Sequence, residues 1–315
     1  MNTKGFEFSF GWIFALIVGA VIIFLAVYGV MKLGSNERSV QDSEIARQLG
    51  NLLTPMEISI EEAKTAPLSF TINSRIYLGC RMPTKENPFG AQILGVSTES
   101  GIGKKWDSLG VNYSVYNKYI FGSPMAEGKK FIILSKPFEF PFKIADIMIL
   151  LKQEEDYCFV DAPREVEEEL SGLGLNKTIQ FADDRKDCVK KIKVCFAGTG
   201  CDVDVFADSK SVRKNRKVIY YQGSLIYGAI FSEPSLYECQ VSRIMGRASE
   251  LANLYLEKSA FLGSRGSGCS LAMQPFLEDY KRQTLINDSA KLYDLSRTAE
   301  DLREVNADAA SCRLF

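Results

Sequence analysis

Histidine is absent from all 315 residues, which removes the commonest general base, the usual zinc ligand and every Ser-His or Cys-His nucleophile pair. No two cysteines stand at C-x-x-C spacing, so the thioredoxin-like redox motif and the paired zinc knuckle are excluded. Neither sign of charge is in excess. Lys plus Arg number 38 against 39 Asp plus Glu, and bulk electrostatics therefore gives no sign of nucleic acid as a partner. The stretch from Gly172 to Thr178 resembles a phosphate loop, but Asn176 stands where that loop needs glycine before Lys177, so no cofactor is expected. The serines between Ser264 and Ser270 would need a lysine base to act as nucleophiles. A histidine-free enzyme working outside the cell through carboxylates is one alternative that the composition leaves open. With 46% apolar residues the chain can bury a proper core, and its length suggests about two domains.

Charge is also missing from Phe8 to Met31. As a helix rising ~1.5 Å per residue, this run of about 24 residues would cross a ~30 Å hydrocarbon layer. A removable secretory signal has an apolar region of about 7–15 residues and a small-x-small cleavage site, so a retained anchor in the lipid bilayer is expected instead. Trp12 and Tyr28 sit near its two ends, where amphipathic rings favour the headgroup layer. Gly11, Ala15 and Gly19 place small side chains on one helical face, which suits close approach of a partner transmembrane helix or a second copy of the chain; the alternative is the general richness of membrane helices in Gly and Ala. Lys4 before the span and Lys32 and Arg38 after it leave the positive-inside rule nearly balanced.

The N-terminus, Met1-Asn-Thr-Lys-Gly5 followed by Phe6-Glu-Phe-Ser-Phe-Gly-Trp-Ile-Phe, resembles the class III signal of archaeal type IV pilin-like proteins. That resemblance implies cleavage between Gly5 and Phe6, leaving the apolar helix to pack in a membrane complex or surface filament. Phe10 takes the fifth position of the resulting chain, where bacterial-type pilins carry glutamate. The remainder is similar to membrane-anchored, cysteine-containing surface proteins of small-genome archaea.

Eight cysteines, Cys80, Cys158, Cys188, Cys195, Cys201, Cys239, Cys269 and Cys312, form an even set, and with an exported chain they are expected to pair as disulfides rather than remain buried thiols. One bridge is expected within Cys188, Cys195 and Cys201, where Gly198 and Gly200 favour a bend. Asn112, Asn176 and Asn287 each begin an N-x-Ser/Thr tripeptide, the pattern of a glycoprotein acceptor site.

The expected fold class is α+β: an N-terminal transmembrane helix and stalk, a β-rich disulfide-containing domain, and a C-terminal antiparallel helical hairpin. Residues 1–33 form the leader and anchor. Ile45, Leu49, Leu52 and Leu53 give 34–65 the period of a helical stalk. Strand-like runs such as Phe131–Leu134, Ile147–Leu151, Tyr157–Val160, Val203–Phe206, Val218–Tyr221 and Leu225–Gly228 mark 66–231 as β-rich, with one short helix near Pro163 ending around Gly172. From Ser232, taken as an N-cap, the period becomes helical, and 232–315 read as two long helices whose second carries a seam of Leu285, Leu292, Leu295, Ala299 and Leu302. Cys239 would tie the first of them to the returning loop or to the β-rich domain. Lys210, Arg213, Lys214, Arg216 and Lys217 cluster between two strands, as a solvated hairpin tip or as a binding loop for an acidic ligand. The function these features suggest is that of a single-pass, extracytoplasmic structural or interaction protein of the cell membrane, with an anchored acidic-ligand module as the alternative.

Overall fold

The computed structural model describes residues 11–29, 47, 63–99, 106, 112–153, 157–265, 273–285, 288–309 and 313–315. The apolar run forms helix α1, Gly11–Gly29, with mean hydropathy 2.6 over its core and no part of it buried. The expected stalk lies outside the described residues apart from Arg47 and the residues from Ala63, and Lys64 already belongs to a strand.

Six strands, β1 (Lys64–Arg81), β2 (Ala91–Thr98), β3 (Tyr113–Val115), β4 (Tyr119–Phe121), β5 (Met125–Glu139) and β6 (Lys143–Lys152), form one sheet in the order β3-β2-β1-β5-β6-β4. β3 and β4 stand at opposite ends of that order, yet only Tyr116, Asn117 and Lys118 join them. A linker of this length reaches about 14 Å, whereas the edges of a flat six-stranded sheet lie about 24 Å apart. The sheet therefore curls until its edges meet, as a small barrel does. Strand alternation then sorts the side chains. Ile76, Leu78, Leu94, Ile120, Ile133, Met148 and Leu150 fill the inside, while Tyr119, Phe121, Leu134, Ile147, Ile149 and Leu151 face outward into a larger core.

That larger core is shared with a second six-stranded sheet, made of β7 (Tyr157–Val160), β8 (Ile179–Ala182), β9 (Ile192–Cys195), β10 (Val203–Phe206), β11 (Ser211–Lys214) and β12 (Lys217–Tyr220) in the order β12-β11-β10-β9-β7-β8. β7 runs parallel to β8 and β9, and β9 parallel to β10, while β10, β11 and β12 form an antiparallel meander. The parallel β7–β8 pair needs a crossover, and helix α2, Arg164–Gly172, supplies it with Pro163 as its N-cap residue. Helix α3, Leu225–Phe231, occupies the run expected as a further strand. It packs so closely on the barrel that a Cβ on Gly228 would lie 2.8 Å from the Phe121 ring.

After Ser232 the chain forms three helices among the described residues, α4 (Pro234–Ser264), α5 (Gln274–Gln283) and α6 (Leu292–Asp308), instead of a hairpin of two. α4 packs on α5, and α5 on α6. The second expected helix breaks after Thr284, and Asp288 starts a new turn by accepting from the Ala290 amide at 2.9 Å. Leu292, Leu295, Ala299 and Leu302 are buried as a seam, but Leu285 lies outside it and is 72% exposed. Ser232 is not the cap of α4, which Glu233 precedes and Pro234 opens; its hydroxyl accepts instead from the Gly122 amide at 2.8 Å.

Helix α4 is buried on two sides. Tyr237, Val241, Ile244, Met245, Ala248 and Ala252 enter the shared core. Leu236, Cys239, Gln240 and Arg243, at helical spacings of three and four, form a separate buried stripe against the barrel.

Candidate functional site

The barrel seam holds a buried polar network built on Gln92, Gln240 and Arg243. β4 pairs with β6 on one side only, which leaves Ile120 with an unpaired N–H and C=O on the other. Two glutamine side chains take the place of the missing strand. Ile120 N–H donates to Gln92 Oε1 at 2.9 Å, and its carbonyl accepts from Gln240 Nε2 at 3.0 Å. Gln240 Nε2 also donates to Gln92 Oε1 at 2.5 Å, and Gln92 Nε2 reaches Gly79 O at 2.9 Å.

Arg243 closes the rest of the gap. Its Nη1 donates to Lys118 O at 2.8 Å and Gln240 Oε1 at 2.7 Å, Nη2 to Tyr116 O at 2.9 Å and Val115 O at 3.4 Å, and Nε to Phe89 O at 3.1 Å. Its guanidinium lies 4.8 Å from the Tyr119 ring centroid. Burial lowers its pKa to about 10, so it stays charged at neutral pH. Nothing in the sequence marked these residues as special. The available signal was a pair of polar residues, Gln240 and Arg243, continuing the stripe begun by Leu236 and Cys239 on a helix that is buried on its other face.

The described cysteines are all paired. Cys80–Cys239 joins β1 to α4, so of the two partners expected for the first long helix the β-rich part is the one taken. Cys158–Cys188 and Cys195–Cys201 lie together on the face of the second sheet opposite the shared core, with Val160 between them. The bridge expected within the glycine-containing stretch is thus Cys195–Cys201. Gly198 and Gly200, at φ of 82° and 100°, turn the chain there through the region that favours glycine. Cys269 and Cys312 lie outside the described residues, as do Gly5, Phe6 and Asn287.

Asp204 holds the Cys195–Cys201 loop to the sheet. Its carboxylate accepts from the Cys201 amide at 3.0 Å, the Gly200 amide at 3.3 Å and Arg213 Nη2 at 2.8 Å. Burial pushes its pKa up, but these hydrogen bonds and the Arg213 charge outweigh burial and hold it below the ordinary carboxylate value. Asp204 lies close to Cys195 and Cys201, but the two sulfurs are bonded to each other, and half-cystines are not the thiolates that a metal requires. A depressed carboxylate pKa stabilises the fold above the unfolded pKa of about 3.9, and that contribution is lost as pH falls through the folded value. We expect urea midpoints measured from about pH 6 to 2 to fall at the acid end, and Asp204→Asn to flatten that fall. An unchanged acid slope in the variant would refute the assignment.

The basic cluster is largely committed to internal contacts. Arg213 pairs with Asp204, Lys210 Nζ donates to Gln222 Oε1 at 3.0 Å, and Lys214 Nζ donates to Ser232 O at 3.1 Å. Arg216 and Lys217 lie exposed at the β11–β12 hairpin tip, where Asn215 and Arg216 both adopt positive φ. Asn112 and Asn176 are exposed, and Gly11, Ala15 and Gly19 lie along α1. Beside α4, Gly246 and the prolines Pro83 and Pro88 wall an open groove of about 540 Å³. Its hydroxyls are already used: Thr284 Oγ1 donates to Lys281 O at 2.8 Å and Thr84 Oγ1 accepts from the Asn87 amide at 3.1 Å.

These features define a class: an α+β body braced by disulfides, in a chain that also carries one N-terminal helix long and apolar enough to cross a membrane. Comparisons of the chain with protein-family models, with curated proteins and with solved structures found no match.

Proposed function

We propose that the chain is a single-pass membrane protein whose disulfide-braced body lies outside the cytoplasm and acts by packing or interaction rather than by chemistry on a substrate. The observation that carries this reading is the pairing of a helix that buries none of its apolar surface in the body with the three disulfides found among the body's described residues. Disulfides persist in oxidising compartments, and an apolar helix without protein cover is stable in lipid. The face of Gly11, Ala15 and Gly19 is where a second helix approaches, in a pilin-like subunit or a smaller membrane oligomer.

Protease added to sealed right-side-out vesicles tests the topology. The expected result is digestion of the body with a short protected fragment containing α1; full protection of the body in vesicles that become sensitive only after detergent would overturn the reading. Mass spectrometry of the native chain, with free thiols alkylated before reduction, then reads whether it begins at Phe6 and whether Cys269 and Cys312 are paired.

A further inference from the structure

A polar cleft of about 390 Å³ opens where the β3–β4 link, the start of β6 and the outer side of α4 meet. Asp146, on β6, has a side chain only 5% exposed, and its one ion-pair partner among the described residues is Lys143 Nζ, 3.1 Å from Oδ1. That contact is not aligned as a hydrogen bond, and Oδ1 receives none from the described residues. A carboxylate this buried is costly unless further donors reach it. Across the cleft, Arg247 Nε is fixed by donating to Ile144 O at 2.7 Å. Its terminal nitrogens have no further partner among the described residues, and it does not pair with Asp146. The Leu251 side chain and the backbone of Ile144 and Ala145 complete the wall.

A fixed guanidinium presents two parallel donors that match a carboxylate. A buried carboxylate lining the same cleft, with lone pairs to spare, matches an ammonium. Opposite charges held apart in one cleft are complementary to a small ligand with the same two charges reversed. We propose that this cleft binds an apolar α-amino acid: its carboxylate on Arg247, its ammonium on Asp146, and its side chain against Leu251. Binding exchanges the Lys143–Asp146 pair for the ligand ammonium, and Lys143 joins Arg247 on the ligand carboxylate. The site is separate from the barrel seam, since Arg243 and Arg247 lie one turn apart on α4 and only Arg243 is buried in the gap.

Isothermal titration of the full chain in detergent tests this, with L-leucine as probe against isocaproate, which lacks the amine, and isoamylamine, which lacks the carboxylate. The expected result is saturable leucine binding with each analogue at least about tenfold weaker. Arg247→Gln, which keeps a donor for Ile144 O, weakens leucine by about tenfold or more, and Asp146→Asn, which also frees Lys143, weakens leucine without weakening isocaproate. Lys143→Met, at a partly exposed position, carries the test should Asp146→Asn fail to fold, and is expected to weaken leucine and isocaproate alike. Absence of saturable leucine heat, isocaproate binding as tightly as leucine, or leucine affinity unchanged in Arg247→Gln would each overturn the proposal.

Discussion

Arg243→Leu is expected to lower the unfolding free energy by about 3 kcal/mol or more, read as a lower urea midpoint with a preserved slope. The variant keeps the helix and much of the side-chain volume but strips hydrogen bonds from Phe89, Val115, Tyr116 and Lys118 carbonyls and from Gln240 Oε1. Each buried acceptor left unsatisfied costs about 1–3 kcal/mol. Removing a buried guanidinium returns part of that sum, because its desolvation is no longer incurred. The residual loss is large for a domain whose whole stability is about 5–15 kcal/mol. Arg243→Lys should recover little of it, since one ammonium cannot fork to carbonyls on both sides of the seam. A loss below about 1 kcal/mol in the leucine variant would mean that the seam relaxes around water and that Arg243 does not hold it shut.

Removing Cys80–Cys239 through paired alanine substitutions is the second large effect. The bridge spans 159 residues, against 30 for Cys158–Cys188 and 6 for Cys195–Cys201. Loop-closure entropy then assigns the three about 5, 4 and 2 kcal/mol respectively. Denaturation of the three double-alanine variants, one bridge at a time, should rank them in that order. A loss for Cys80–Cys239 smaller than that for Cys195–Cys201 would show that unfolded-state structure, or relief in the native state, overrides the entropic term. Because Cys239 adjoins Gln240, combining this change with Arg243→Leu should depart from additivity by about 0.5 kcal/mol or more.

Where the sequence could be read, burial had left a simple period. β5, β6 and β7 carry continuous apolar runs because both faces of their sheets are covered. α4 was legible because its core face repeats at helical spacing over several turns. Leu225-Ile-Tyr-Gly misled because α3 is short and buried almost all round, so no period distinguishes it from a buried strand. The C-terminal break was hidden because the spacing of Leu285 continues the seam although Asp288 restarts the helix after it. Of the disulfides, only the bridge within the glycine-containing stretch was legible, while the full connectivity was not, and neither was the polar seam. Gln92, Gln240 and Arg243 come from distant parts of the chain, and their purpose exists only once β3 and β4 are brought to the two edges of one curled sheet.

The Cys80–Cys239 bond also decides how the molecule carries a load. A pull entering from the α1 side reaches the body through β1, and tension drawn out through the C-terminal helices must leave through α4. The covalent link between those two elements is a direct route for that force. Barrel strands β2 to β6 and the whole second sheet, between Cys80 and Cys239, lie on a closed branch beside it. Under tension this branch is shielded from extension, so the protein lengthens only by the segments outside the bond until the bond itself is reduced.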